Sequence, residues 1–300
     1  MSLARVIEPA KQTYTGERTD PERWSSWQPR EGDILVCTPP KCGTTWTQTM
    51  LTMLVYGGPD LPDKVPVLSP WVDADLGVAA DEVAEALDRQ KGRRVVKTHT
   101  PADGFPVWDG VSVIAVYRHP IDVYFSLRKH TDNMADNGGN PTMKLEAGAG
   151  FDAYLVGEMD RSDFDRDNLE TIVHHYRETA LSDRVNNGSV FHYADFLRNG
   201  RKAVESLARA ADVQADDALI DRVAEATAFA SMKAKAADYA PVGGTGFWKS
   251  DAAFFDSASS GKWEGRLSQE ALDSYAQWME REVPDARNRA WLNWGETGRP

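Results

Sequence analysis

At 300 residues, 41% of them hydrophobic, the chain has the length and composition of a globular protein with one large α/β domain or two smaller ones. Its net charge of -12 argues against general nucleic-acid or acidic-membrane partners and confines any anion site to a local basic pocket. Cys37 and Cys42 are the only cysteines, which argues against a disulfide framework and points to a reducing cytoplasm; no stretch approaches the ~20 apolar residues that span a bilayer, and MSLARVIEPAKQ lacks the apolar core of a secretory signal.

Residues 1–29 read as a polar arm carrying Trp24, Trp27 and Pro29. The apolar run Ile34-Leu35-Val36-Cys37 predicts a strand, and TPPKCGTTW, Thr38 to Trp46, leads from it into a helix that Gly57-Gly58-Pro59 stops after about Tyr56. Residues 59–80 read as loop, Asp81 to Gln90 as helix, and Arg93 to Lys97 as a short strand ending in KTHTP. Val111 to Tyr117 is a third strand, running into Arg118-His119-Pro120 and a helix to about His130. Alternating strands and helices imply an α/β fold, a mainly parallel sheet covered on both faces. Residues 131–150 are the most loop-like and long enough for a mobile segment over a site. Helices follow over Phe151 to Met159 and Asn168 to Ser182, then a strand at Ser189 to Tyr193 and helices near Arg201 to Ala211 and Ala218 to Ser231. Residues 234–262 are irregular, with Gly243, Gly244, Gly246 and Gly261, and a last helix covers about Gln269 to Arg281. The Gly-Thr-Gly there follows no strand, which weakens a dinucleotide reading. No repeat or linker divides the chain, so 1–300 is read as one domain with its core at about 30–282.

The loop Thr38 to Trp46 has the makings of an anion site. Backbone N–H groups of Gly43, Thr44 and Thr45 face out of a helix N-terminus, where the helix dipole adds partial positive charge, and Lys41 supplies a full one. It is not a Walker A, because the lysine precedes the only glycine by two residues. The plainer alternative is an ordinary strand–helix turn with a threonine cap. Cys42 beside Lys41 also admits a reactive thiol. Ligands of open parallel sheets bind beyond the strand carboxyl ends, and three such ends carry Lys41, Lys97 with His99, and Arg118.

Over residues 30 to 280, in family order, the chain resembles the cytosolic sulfotransferases that use 3'-phosphoadenosine 5'-phosphosulfate (PAPS). TPPKCGTTW resembles that family's YPKSGTTW loop, VVKTHTP its KTHLP segment, and VYRHPIDVYFS its 3'-phosphate-binding strand and helix. Tyr193-Ala194-Asp195 is similar to its Tyr-Glu-Asp, and Thr227-Ala228-Phe229-Ala230-Ser231-Met232-Lys233 to its Thr-Ser-Phe-x-x-Met-Lys. The resemblance implies a P-loop-like sulfotransferase fold and assigns His99, Lys41 and Lys97 to catalysis, with His99 as general base. It places the 5'-phosphosulfate on Lys41, Cys42, Gly43, Thr44 and Thr45, the 3'-phosphate on Arg118 and Ser126 with Gly261 nearby, and adenine among Trp46, Tyr193, Thr227 and Phe229. A small, partly apolar acceptor with a hydroxyl would meet His99, Trp71, Tyr239 and Phe247. No metal is expected, and His119, His130, His174, His175 and His192 receive no role.

Two departures stand out. In the last family motif, Gly261 and Trp263 match, but Asp256 stands at the arginine place and Ala258 at a glycine place, leaving Lys249 or Lys262 to supply the missing charge. Glu264-Gly265-Arg266-Leu267-Ser268 lacks the family's usual dimer motif, so the oligomeric state is left open. A non-catalytic bisphosphate-binding module and a phosphotransferase remain as alternatives; the latter would need Mg²⁺ ligands and a Gly-Lys-Ser/Thr loop.

Overall fold

The computed structural model describes residues 2–136, 138–184, 189–255 and 257–296. Six strands occur among them: β1 (Val6–Glu8), β2 (Ile34–Cys37), β3 (Val95–Thr98), β4 (Val107–Trp108), β5 (Ser112–Tyr117) and β6 (Ser189–His192). Four form a parallel sheet in the order β3-β2-β5-β6, with Cys37 paired to Thr98 and Tyr117 to His192. Every residue of β2 and β3 is buried, which explains why these strands are apolar or β-branched everywhere but at Lys97: both faces meet protein, so alternation would bury polar side chains. The parallel register brings the ends of all four strands to one edge, and the site lies there.

On one face, helix Thr44–Tyr56 lays Met50, Leu51 and Leu54 against Ile34, Val36, Val95 and Ile114, with helices Gly200–Ala210 and Asp217–Ala226 outside it. On the other, helices Pro120–Asp132, Ala147–Val156, Leu169–His175 and Gln269–Glu282 cover Ala115 and Tyr117. At the start of the sheet, a fully buried Arg94 pairs with Asp33 at 2.5 Å and joins β3 to β2.

The N-terminal segment is more than a polar arm. β1 pairs antiparallel with β4, and Trp24 and Trp27 are buried against Phe105 and Trp108, because indole area of this size gains more from packing than the segment's polar residues lose. Residues 59–80, read as loop, contain a short helix, Val65–Leu68, and Trp71 forms a parallel bridge to Lys97. Residues 131–150 are tied down: Met134 bridges Trp248, the Asn133 amide donates to the Ser250 carbonyl, and Met143 is buried. The helix expected to end at Ser182 turns into a π segment at Tyr176–Ala180, and the one expected to reach Ser231 breaks into Asp217–Ala226 and Phe229–Ala234.

A helix at Ala286–Trp294 was absent from the sequence reading. The Asp285 side chain caps it by accepting from the backbone N–H groups of Arg287 and Asn288, but its apolar periodicity is slight and only Leu292 is buried. Tertiary contact supplies the rest: Trp291 stacks on Tyr176 with ring centroids 5.9 Å apart. Leu292→Ala should therefore cost about 2–5 kcal/mol. Urea unfolding should show the midpoint falling with an unchanged slope, and an unshifted midpoint would mean that this helix is dispensable to the fold.

Candidate active site

The loop after β2 turns on two left-handed residues, Lys41 (φ 63) and Gly43 (φ 103). Glycine is required at the second, since a Cβ there would lie 2.9 Å from the Tyr193 ring. The Thr38 and Thr44 hydroxyls meet at 2.6 Å and close the loop. Gly43 caps the helix without a side chain and no acidic residue occupies the first turn, so the N-terminal N–H groups face a local field that favours an anion. Cys42 is fully buried, and burial pushes its thiol up to about 12 despite the opposing charge of Arg118. The reactive-thiol reading fails for that reason, leaving Cys42 to pack behind the loop.

Beyond β3, His99 Nδ1 lies 2.6 Å from the Thr38 carbonyl oxygen. A carbonyl only accepts, so Nδ1 carries the proton and Nε2 presents its lone pair. The Lys97 Nζ donates to that Nε2 at 3.2 Å and also sits 4.2 Å above the Trp71 ring. Burial, reinforced by the Lys97 charge, drives His99 well below the ordinary histidine range, so the imidazole is neutral at pH 7. Burial likewise lowers Lys97 to about 7, against the attraction of Asp73.

Asp73 escaped the sequence reading. Its fully buried Oδ2 accepts from Thr98 Oγ1 at 2.7 Å and from Thr100 Oγ1 at 2.6 Å, the two residues flanking His99. Burial raises this carboxyl to about 6 while the two threonines hold it down. Asp73 thus ties down the residues on either side of His99. The acid-rich stretch from 73 to 82 gave no pattern to single it out, although its place two residues after Trp71 was a usable hint.

Arg118, at the end of β5, is 3% exposed and stacks 4.5 Å over the Tyr193 ring. Its Nη2 donates to the Ser259 carbonyl at 2.8 Å and Nη1 to the Lys41 carbonyl at 3.4 Å. Its buried Nε has no hydrogen-bond partner among the described residues, and neither has the Trp46 indole N–H; Trp46 meets Tyr193 edge-on at 5.7 Å. Buried orphan donors of this kind are what a missing anion and heteroaromatic base would satisfy, so the residues present fit an adenosine bisphosphate group. Ser126 is buried on helix Pro120–Asp132, which follows Arg118. The Thr227 hydroxyl donates to the Val223 carbonyl at the helix break, and Phe229 begins the next helix with Lys233 over its ring.

The segment carrying Gly261 is pinned over Arg118 by Asp122, whose buried carboxylate accepts from the backbone N–H groups of Gly261 and Lys262 at 3.0 and 2.9 Å. Ala258, at the place of a family glycine, has φ 46, the left-handed conformation that glycine would adopt without strain. Asp256 lies outside the described residues. Lys249 donates from Nζ to the Asp132 carbonyl at 2.7 Å, at the far end of its helix, and so does not fill the vacant arginine place.

Of the residues expected to meet an acceptor, Trp71 lies edge-on to His99 at 4.5 Å. Tyr239 is 7% exposed and belongs to the core under helix Thr44–Tyr56, whereas Phe247 lies at the surface against Trp248. The structure adds His130: its Nδ1 is 3.0 Å from Lys41 Nζ, and its ring packs on Trp248 and Phe254. A signal for it existed, since Ser126 and His130 are four apart and share a helix face. The other histidines have structural partners: His119 and His192 cap helices, His174 meets the Tyr14 hydroxyl, and His175 meets that of Tyr117. No group of three metal-ligating side chains occurs among the described residues, and no helix there is long and apolar enough to cross a membrane.

Residues 31–287 match the sulfotransferase domain, and the chain belongs to that family of enzymes. It is 31% identical to a glycolipid sulfotransferase of Mycobacterium tuberculosis and 30% identical to one of Mycobacterium bovis, each over 95% of both chains, and 27% identical to mouse sulfotransferase 1B1 over 71% of this chain and 69% of that one. Mouse sulfotransferase SULT7A1, solved with PAP, shares the fold at a TM-score of 0.68 and 17% identity over 90% of each chain. Retinol dehydratase, solved with androsterone and PAP, does so at 0.64 and 19% over 85% of this chain and 82% of that one.

Two measurements follow. Asp73→Asn should lower kcat about tenfold, the worth of one hydrogen bond to a charged group, with bisphosphate affinity within twofold; an unchanged kcat would remove Asp73 from the positioning of His99. Lys97, at about 7, is mostly neutral at pH 8, and a bound anion favours its charged form. Binding of adenosine 3',5'-bisphosphate should take up protons at pH 8 and much less at pH 6, seen as a calorimetric enthalpy that varies with buffer and that Lys97→Gln abolishes. Buffer-independent enthalpies at pH 8 would show Lys97 outside the anion's field.

Proposed function

We propose that this enzyme transfers the sulfuryl group of PAPS to a hydroxyl of a small, partly apolar acceptor, with His99 as general base. The observation that carries the reading is the state of His99: a neutral imidazole, its proton committed to Thr38 and its Nε2 lone pair turned toward Lys97 at the mouth of the anion loop. The acceptor proton goes to Nε2 as the acceptor oxygen forms a bond to sulfur, and the sulfur–oxygen bond to the 5'-phosphate breaks, leaving adenosine 3',5'-bisphosphate. Lys97, released from Nε2, would hold sulfonate oxygens, and Lys41 would meet the bridging oxygen as its charge grows. Arg118 and Ser126 are assigned to the 3'-phosphate, which separates this donor from ATP. The glycolipid acceptors named for the mycobacterial relatives support a lipid-linked hydroxyl compound as substrate.

Incubation with PAPS and a panel of alcohols, phenols, amines and glycosides, reading sulfated product by mass, tests the reaction. His99→Ala should lower turnover at least ~100-fold while bisphosphate affinity stays nearly intact, since proton removal matters in the transition state. Bisphosphate at ~100 times its dissociation constant should stabilise the fold by about 2.7 kcal/mol, and ATP at equal concentration far less. Near-normal turnover by His99→Ala would require a different base, and equal stabilisation by ATP would remove the 3'-phosphate assignment.

A further inference from the structure

The end of helix Ala286–Trp294 is fastened to the turn that carries Tyr193. His192 Nδ1 accepts from the Ala194 backbone N–H at 3.2 Å, so its proton is on Nε2, which donates to the Leu292 carbonyl at 3.1 Å. Arg198 donates to the Trp294 carbonyl at 3.2 Å and pairs with Asp195, whose Oδ2 accepts from the Glu296 backbone N–H at 3.0 Å. Gly295 makes that approach possible: its φ is 76, and a Cβ there would lie 2.5 Å from Asp195 Oδ2. The partly buried Trp294 ring has other partners. It lies edge-on to His119 at 4.8 Å and 6.3 Å from Trp263, and Trp263 itself packs on His119 at 5.4 Å.

His119 directly follows Arg118, and Trp263 belongs to the segment whose Ser259 carbonyl accepts from Arg118 Nη2 at 2.8 Å. Arg118 therefore has two walls, the Tyr193 ring at 4.5 Å and the 259–263 segment, and Trp294 is joined to the turn of the first by its carbonyl and to the second by its ring. Deleting the indole would leave a void beside His119 and Trp263, and close-packed surroundings partly relax into such voids. Trp263 shifting into it would draw the Ser259 carbonyl off the guanidinium and change how Arg118 meets an anion. We infer that Trp294 is a positioning residue for the 3'-phosphate end of the donor pocket, latching the Tyr193 turn to the 259–263 segment. This rests on the assignment of the 3'-phosphate to Arg118 and extends it to the last described helix.

Calorimetric titration of the full chain with adenosine 3',5'-bisphosphate and with AMP, which lacks the 3'-phosphate, tests the latch. Trp294→Ala should raise the dissociation constant of the bisphosphate about tenfold and that of AMP less than twofold, with kcat at saturating PAPS changed less than threefold. Trp294→Phe, which keeps a ring for His119, should stay within threefold of the parent. Arg198→Ala, a change at an exposed residue that frees the Trp294 carbonyl, should raise the bisphosphate constant about threefold and decides the matter if Trp294→Ala does not fold. Val204→Ala, a core deletion on helix Gly200–Ala210, should lower Tm and leave both constants unmoved. Bisphosphate binding unmoved in Trp294→Ala and Arg198→Ala, or weakened alike for AMP or in Val204→Ala, overturns the latch and leaves the donor assignment standing. A parent that binds AMP as tightly as the bisphosphate overturns the donor assignment and the latch with it.

Discussion

The hydrogen bond from His99 Nδ1 to the Thr38 carbonyl is the constraint on which the site depends. Thr38 opens the loop after β2, and His99 follows β3, so one contact of 2.6 Å sets the imidazole against that loop. It also fixes the tautomer: with the proton on Nδ1, the other nitrogen can only accept. If the register of β2 and β3 slipped by one residue, Lys97 and His99 would turn together to the other face and His99 would lose the Thr38 carbonyl.

The site concentrates cations in an acidic protein. Lys41, Lys97 and Arg118 stand at three neighbouring strand ends, while the whole chain carries a net charge of -12. Carboxylates stand behind this cluster and hold its backbone, and Asp73 also attracts the Lys97 ammonium. Asp73 grips the threonines on either side of His99, and Asp122 grips the segment that crosses Arg118. Arg118 meanwhile rests on Tyr193 and two carbonyls, with one donor left over. Partial satisfaction of this kind keeps a guanidinium oriented while leaving it in need of an anion.

A second division runs through the site, between its two ends. Near Arg118 the walls are Trp46 and Tyr193, flat and aromatic; near Lys41 and His130 they are Trp248 and Phe254, with the Lys41 ammonium 4.6 Å over the Phe254 ring. The residues that make the second wall come from the helix after β5 and from the irregular stretch that holds Trp248 and Phe254, two parts of the chain far apart in sequence.

Local sequence determined the strand–loop–helix at Ile34 to Tyr56, the KTHTP strand end and the Arg118 strand and helix, because each is written in contiguous residues: an apolar run, a breaker, a cap, a charge. The same contiguity made the anion loop, His99 and Arg118 legible, and the family resemblance joined them. Asp73 and Asp122 were not legible, since a carboxylate gains its meaning from partners that lie tens of residues away. The helix at Ala286–Trp294 and the burial of Trp24 and Trp27 were decided in the same way, by aromatic contacts with Tyr176, Phe105 and Trp108 rather than by periodicity. Short-range patterns specify which elements form; which polar groups face one another, and with what proton on which nitrogen, is settled only when the sheet register brings the strand ends together.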